Sequence, residues 1–206
     1  MPDLSLEAAC PQPVCGVDEV GRGPWAGPVV AAAVILPQGA ERIEVIQALD
    51  DSKKLSAAKR EQLYESLTSL PGLQWSLGEA SVAEIDELNI LQATFLAMKR
   101  AVEGLGLCPA FALIDGNKVP PGLPCEAEAV VKGDGRSLSI AAASVLAKVT
   151  RDRLMAELDR AHPGYGWAKN AGYGVKAHQA GLAELGVTEH HRRSFKPIAA
   201  ILARTR

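Results

Sequence analysis

Two apolar runs, VCGV at 14–17 and PVVAAAVIL at 28–36, bracket the adjacent carboxylates Asp18 and Glu19 and a glycine turn, Gly21-Arg22-Gly23. Of all the features of this chain, this one limits the fold most. Acidic side chains beside an apolar strand cost free energy unless something neutralises them. A hard divalent cation does so with oxygen ligands. Neighbouring strand residues point to opposite faces, so Asp18 and Glu19 reach one ion only if the strand ends or bulges there. The glycines that follow permit such a bend.

A chain of 206 residues with 48% hydrophobic content is enough for one domain around a sizeable core. No apolar run reaches the ~18 residues expected of a membrane span, so no membrane partner is expected. Residues 1–13, MPDLSLEAACPQP, have neither a basic start nor a long apolar centre. They read as a flexible leader rather than a secretory signal. Cys10, Cys15, Cys108 and Cys125 form no CxxC pair, which points to reduced thiols and a cytoplasmic protein. The net charge of -2 hides an asymmetry. Residues 151–206 carry ten Lys and Arg against five Asp and Glu, and all four histidines. An acidic body with a basic end suits metal in one part and phosphates at the other.

The pattern predicts strands over 14–20 and 28–36, closed by Pro37 and Gly39, and a short helix around 42–48. A helix capped by Ser56 follows, ending at Pro71-Gly72, and then a strand over 73–80. Ser81 and Glu84 fit a capping box, and a long amphipathic helix is expected from about Asn89. AFALID (110–115) reads as a short buried strand ending in an aspartate, and CEAEAVVKG (125–133) alternates as a fifth strand. From Ser137 to about His162 runs the most helical segment, whose small residues from Ala141 to Ser144 favour close packing on a sheet. A Gly- and aromatic-rich loop and two shorter helices complete the chain. Strands mixed with helices imply an α/β fold with a mixed sheet.

Four carboxylates fall at strand ends or helix starts: Asp18, Glu19, Asp115 and Asp134. If the first and fourth strands are neighbours, Asp115 faces the Asp18/Glu19 pair, and a helix N-terminus favours the charge of Asp134. Such a cluster repels itself unless divalent ions intervene. All-oxygen ligands suit Mg²⁺ or Mn²⁺ and disfavour zinc. Two such ions about 3.5–4 Å apart serve phosphoryl transfer. Gly21, Gly23 and Ala26 also fit the dinucleotide pattern G-x-G-x-x-A. Pro24 and the β-branched run beyond it open no helix for a pyrophosphate, which speaks against that reading.

The segments DEVGRGPWAGPVV, DDSKKLS, IDELNI, IDGN, KGD with SIAAASVLAKVTRD, HPGYGW, GYGVKAH and HRRSF follow in this order over roughly 14–197. Together they resemble bacterial ribonuclease HII, of the type 2 ribonuclease H family. The resemblance implies an RNase H-like fold: a five-stranded mixed sheet flanked by helices over 14–162, with a helical extension over 163–206 that helps grip substrate. It implies a monomeric endonuclease cutting the RNA strand of RNA–DNA hybrids, and cutting 5′ to single ribonucleotides in duplex DNA. Such cuts leave 3′-hydroxyl and 5′-phosphate ends and serve the removal of misincorporated ribonucleotides and RNA primers. The family's catalytic, metal-binding carboxylates fall on Asp18, Glu19, Asp115 and Asp134. Its 2′-hydroxyl sensor falls on Gly21, Arg22 and Gly23, and the tyrosine that stacks on the neighbouring deoxyribose falls on Tyr173. Ser52 and Lys53 match a loop near backbone phosphates. Val175 and Gly133 depart from the residues common in the family at those places.

Physical reasoning runs the same way. Glycine lets the backbone approach a ribose closely, and Arg22 can reach a phosphate with two donors. His162, His178, His190 and His191 are candidate acids or phosphate contacts, and His190-His191-Arg192-Arg193 a candidate grip on nucleic-acid backbone. Two other function classes are compatible with the residues alone. A hybrid-duplex binding module with a structural metal would bind and never cut, and an oxidoreductase would bind a dinucleotide. A junction resolvase on the same fold would cut branched DNA lacking ribonucleotides.

Overall fold

In a computed structural model, residues 1–50, 52 and 55–204 are described. A helical turn, α1 (Ser5–Ala8), precedes an antiparallel pair, β1 (Val14–Val20) and β2 (Val29–Ile35). Then come α2 (Glu44–Gln47), α3 (Ala57–Thr68) and β3 (Gln74–Ala80). The Ser56 hydroxyl accepts the Lys59 N–H at 3.2 Å and so caps α3. The chain continues through α4 (Val82–Leu88), α5 (Ile90–Glu103), β4 (Phe111–Asp115) and β5 (Glu126–Val130). It ends in α6 (Leu138–Ala161), α7 (Trp167–Asn170), α8 (Lys176–Leu185) and α9 (Lys196–Arg204).

The five strands form one sheet in the order β3-β2-β1-β4-β5. Pairing is antiparallel between β3, β2 and β1 and parallel from β1 to β4 to β5. The sheet is therefore mixed, as expected. Every residue of β2 is buried, and its unbroken apolar run is what a strand covered on both faces requires. On one face, Ala32 and Val34 pack with Leu63 and Leu67 of α3 and Ala142, Val145 and Leu146 of α6. On the other, Val17, Ala31 and Ala33 meet Ala97, Met98 and Ala101 of α5. Gly16 sets how closely α6 approaches β1: a Cβ there would lie 2.3 Å from the backbone nitrogen of Ile140.

Three local readings change. The predicted capping box forms, but it opens α4 rather than the long helix. Asn89, at a φ of 72°, breaks the path, and its side chain caps α5 by accepting the N–H groups of Leu91 and Gln92. The leader expected to be flexible is tied to the body. Glu7 is buried, and its Oε1 accepts the Ser137 hydroxyl at 2.6 Å and the Ser139 N–H at 2.9 Å. Its carboxylate thus caps α6, favoured by the partial positive charge of a helix N-terminus. Finally, β1 neither ends nor bulges at Asp18-Glu19, since its pairing with β2 runs regularly to Val20↔Val30.

Candidate active site

What brings the carboxylates together is register. The parallel pairing of β1 with β4 ends at Val17↔Ile114, so the next residues, Asp18 and Asp115, stand side by side at the carboxyl ends of two neighbouring strands. Gly16 faces α6, and the alternation of a strand sends Asp18 to the same side. Glu19 turns to the α5 side, where it lines a cleft of about 220 Å³ with Arg22, Thr94, Phe95, Asp115 and Lys118. Oxygens of Asp18, Glu19 and Asp115 lie within 4.8 Å of one another. The convergence expected from a bend comes instead from the open edge beyond Ile114, where β4 no longer pairs with β1 and the longer Glu19 side chain reaches over. A second concavity, about 780 Å³ between α8 and α9, is lined by Leu182, Val187 and Ile201 among others and holds no carboxylate among the described residues.

The acids are held by specific donors. Asp18, only 5% exposed, accepts the Glu19 N–H at 2.7 Å and a hydrogen bond from the Ser144 hydroxyl of α6. Asp115 accepts the Gly133 N–H at 2.7 Å. Arg22 donates to Glu19 Oε1 at 3.2 Å, while Glu19 Oε2 is buried with no partner among the described residues. Burial, followed by the charges of Glu19 and Asp115, pushes the Asp18 carboxyl well above the ordinary carboxylate range. Burial likewise pushes Glu19 up to about 7, against the opposing pull of Arg22. Two acids that resist ionisation, Asp18 and Glu19, set within 4.8 Å of a third carboxylate and with one buried oxygen that has no partner among the described residues, form a donor set that fits a hard divalent cation.

The remaining predicted residues distribute as follows. Asp134 is buried in the 3₁₀ turn Gly133–Gly135, next to the Gly133 that bonds Asp115, and lies outside the triplet. Gly21 has a φ of 96°, which L side chains rarely adopt. A Cβ at Gly23 would lie 3.2 Å from the Tyr173 ring, so the glycine turn and Tyr173 form one wall. The bond from the Trp25 N–H to the Gly172 carbonyl at 2.8 Å joins the two loops, and Tyr173 remains half exposed. The Arg22 side chain, a candidate phosphate contact, is paired with Glu19. Ser52 is 4% exposed and turned inward, its hydroxyl 2.8 Å from that of Ser144. It belongs to a hydrogen-bonded chain ending on Asp18 and is not presented to a phosphate. Lys53 lies outside the described residues.

The histidines and the HHRR run are largely internal. His178 and His191 are fully buried, their Nε2 atoms 3.0 Å apart, and Trp167 Nε1 donates to His178 Nε2. His162 and His190 meet at 3.0 Å in the same aromatic cluster. Burial lowers the His178 pKa and, together with the charge of His178, lowers His191 to about 4. Neither ring is available to grip a backbone, and Arg192 is also fully buried. Sequence reasoning missed Ser144, Arg151, Arg192 and Glu7 as supports of the site. Ser144 sat in plain view within a run of small helix residues. A buried arginine cannot be told from a surface one by its neighbours in sequence.

Comparison with known proteins agrees with this geometry. The family model for ribonuclease HII matches residues 15–198. A ribonuclease HII of Rhodospirillum rubrum is 61% identical over 205 residues, covering 100% of this chain and 94% of that protein. Ribonuclease H2 from Pyrococcus horikoshii OT3 superposes with a TM-score of 0.76 at 27% identity, covering 93% of this chain and 97% of the other. Bst-RNase HIII, whose crystal structure is a complex with Mn²⁺, shares the fold with a TM-score of 0.71 at 20% identity, over 94% of this chain and 70% of its own. The chain thus has the RNase H-like fold, its acidic triplet fits a metal site, and it belongs to the ribonuclease HII family.

Proposed function

We propose that this protein is an endoribonuclease that cuts the RNA strand of RNA–DNA hybrids and cuts 5′ to single ribonucleotides in duplex DNA, leaving 3′-hydroxyl and 5′-phosphate ends. The observation that carries the reading is the acidic triplet set beside the Gly21–Gly23 turn and Tyr173. Asp18 and Asp115 would bind divalent metal directly, with Glu19 and Asp134 completing the ligand set; Mg²⁺ and Mn²⁺ suit these oxygens. Bound, such ions supply the charge that favours deprotonation of an attacking water and stabilises the departing 3′-oxygen. The chain's own residues do the rest. Ser144 and the Glu19 N–H orient Asp18, and Gly133 orients Asp115. The exposed backbone of Gly23 admits a ribose closely, and the Tyr173 ring leaves no room for a 2′-hydroxyl on the neighbouring sugar. The protein would act as a monomer in the cytoplasm, on hybrid duplex and on DNA carrying ribonucleotides.

The test is a gel assay on duplex DNA with one embedded ribonucleotide, in Mg²⁺, Mn²⁺ or EDTA, beside an all-DNA control. A metal-dependent cut 5′ to the ribonucleotide, with the control intact, supports the reading. Asp18→Asn and Asp115→Asn should abolish cutting while largely sparing duplex binding. Near-normal rates in either variant would overturn the assignment. Binding without cutting by the folded wild-type protein would favour the binding-module alternative.

A further inference from the structure

Two arginines buried behind the glycine turn have partners that a merely structural cation would not need. Arg192 donates from Nε to the Gly27 carbonyl at 2.9 Å, from Nη1 to the Arg22 carbonyl at 3.0 Å, and from Nη2 to the carbonyls of Gly21, Gly27 and Pro28. Its guanidinium also lies 5.1 Å from the Phe195 ring centroid. Arg151 also lies against Gly21 and donates to the carbonyls of Pro28, Ala171 and Ala26. The rigid fork of a guanidinium fixes several acceptors at once, where an ammonium offers a point charge. In a trans peptide the C=O of one residue and the N–H of the next point in opposite directions. Drawing the carbonyls of Gly21 and Arg22 inward therefore turns the N–H groups of Arg22 and Gly23 outward. Both residues are exposed, both N–H groups lack a protein acceptor among the described residues, and Gly23 lies against Tyr173.

We infer that Arg192 is a specificity-determining positioning residue: by clamping two carbonyls of the Gly21–Gly23 turn, it aims two successive backbone N–H groups at the ribose 2′-hydroxyl. A pair of consecutive N–H groups of this kind is a ready donor site for an oxygen ligand. The inference rests on the proposed recognition of a ribonucleotide at this turn. It adds the reason why the turn holds that shape before substrate arrives, and it places the cause in a residue that never touches the nucleic acid.

The experiment compares the affinity of the full chain for a duplex with one ribonucleotide and for the same all-DNA duplex, with Ca²⁺ replacing Mg²⁺. Melting curves and Mn²⁺ titrations run alongside. The wild type should prefer the ribonucleotide duplex roughly tenfold, as one or two hydrogen bonds allow. Arg192→Lys keeps a buried cation but loses the fork. It should bring the ratio to about one, leaving all-DNA affinity and Mn²⁺ affinity within about twofold of wild type. A general loss of stability would weaken both duplexes alike and leave the ratio intact, so an unchanged ratio in folded Arg192→Lys overturns the inference alone. A wild type with no preference overturns both the inference and the recognition it rests on. Amide exchange in the wild type provides a check that needs no variant. The Arg22 and Gly23 N–H groups should exchange freely in the unbound protein and become protected by the ribonucleotide duplex but not by the all-DNA one. Protection already present in the unbound protein would show them to be turned inward, and would overturn the inference.

Discussion

Replacing Glu19 by Gln should stabilise the metal-free protein at alkaline pH, and by an amount that the site fixes. Glu19 is 11% exposed at its side chain, with one oxygen paired to Arg22 and the other buried without a partner among the described residues. Burial moves its pKa from 4.5 to about 7. A carboxyl raised in the folded state stabilises fully below its unfolded pKa, and that contribution is lost as pH rises through the folded value. At 1.36 kcal/mol for each tenfold change in proton affinity, keeping Glu19 ionised at pH 8.5 costs the fold about 3 kcal/mol. Glutamine never ionises, so the difference between variant and wild type should be near zero at pH 4 and open between pH 4.5 and about 7. For a chain of this size, about 3 kcal/mol corresponds to a Tm about 6–12 °C higher for Glu19→Gln at pH 8.5. Calorimetry in EDTA across pH 4–8.5 measures this. Comparing the two proteins cancels the opposite slope contributed by the buried histidines. Saturating Mn²⁺ should then reverse the order, raising the wild type more than the variant, because only the wild type keeps the anionic ligand. A Tm gap that is the same at pH 4 and pH 8.5 would refute the reasoning.

Three further outcomes follow from the packing. Gly16→Ala places a methyl 2.3 Å from the backbone of α6 and should cost about 2–3 kcal/mol, read by urea unfolding, with Mn²⁺ affinity falling as β1 and α6 separate. Glu7→Ala removes the acceptor of the buried Ser139 N–H and of the Ser137 and Ser139 hydroxyls, which are left with only each other, and should cost about 1–3 kcal/mol by the same measurement; a loss near zero would return residues 1–13 to the status of a loose leader. His191, held at about 4 by burial and by His178, contributes stability that is present above pH 6.5 and lost as pH falls through about 4. The fold should therefore weaken in acid with that profile, and His191→Gln should flatten it in a pH series of melts.

Much of the protein is legible in its residues because its signals are local. The Ser56 and Ser81 caps depend on contacts three positions apart, and the β1–β2 pair and the small-residue face of α6 show in apolar runs and residue size, where propensity and periodicity act directly. Asp18, Glu19 and Asp115 could be singled out because an acid at the end of an apolar strand is costly wherever the strand goes. Other features waited on the tertiary structure. That β4 lies beside β1 with Ile114 opposite Val17 is a choice of register, and without it Asp115 is one aspartate among many. The side on which Ser52 points, the burial of Arg192 behind the glycine turn, and the docking of Glu7 onto α6 each join residues more than ninety positions apart. No local rule sees such pairs. Residue identity sets charge and donor capacity, so the candidate acids could be named from the chain alone; which of them share a site follows from folding, because burial and distance are properties of the packing.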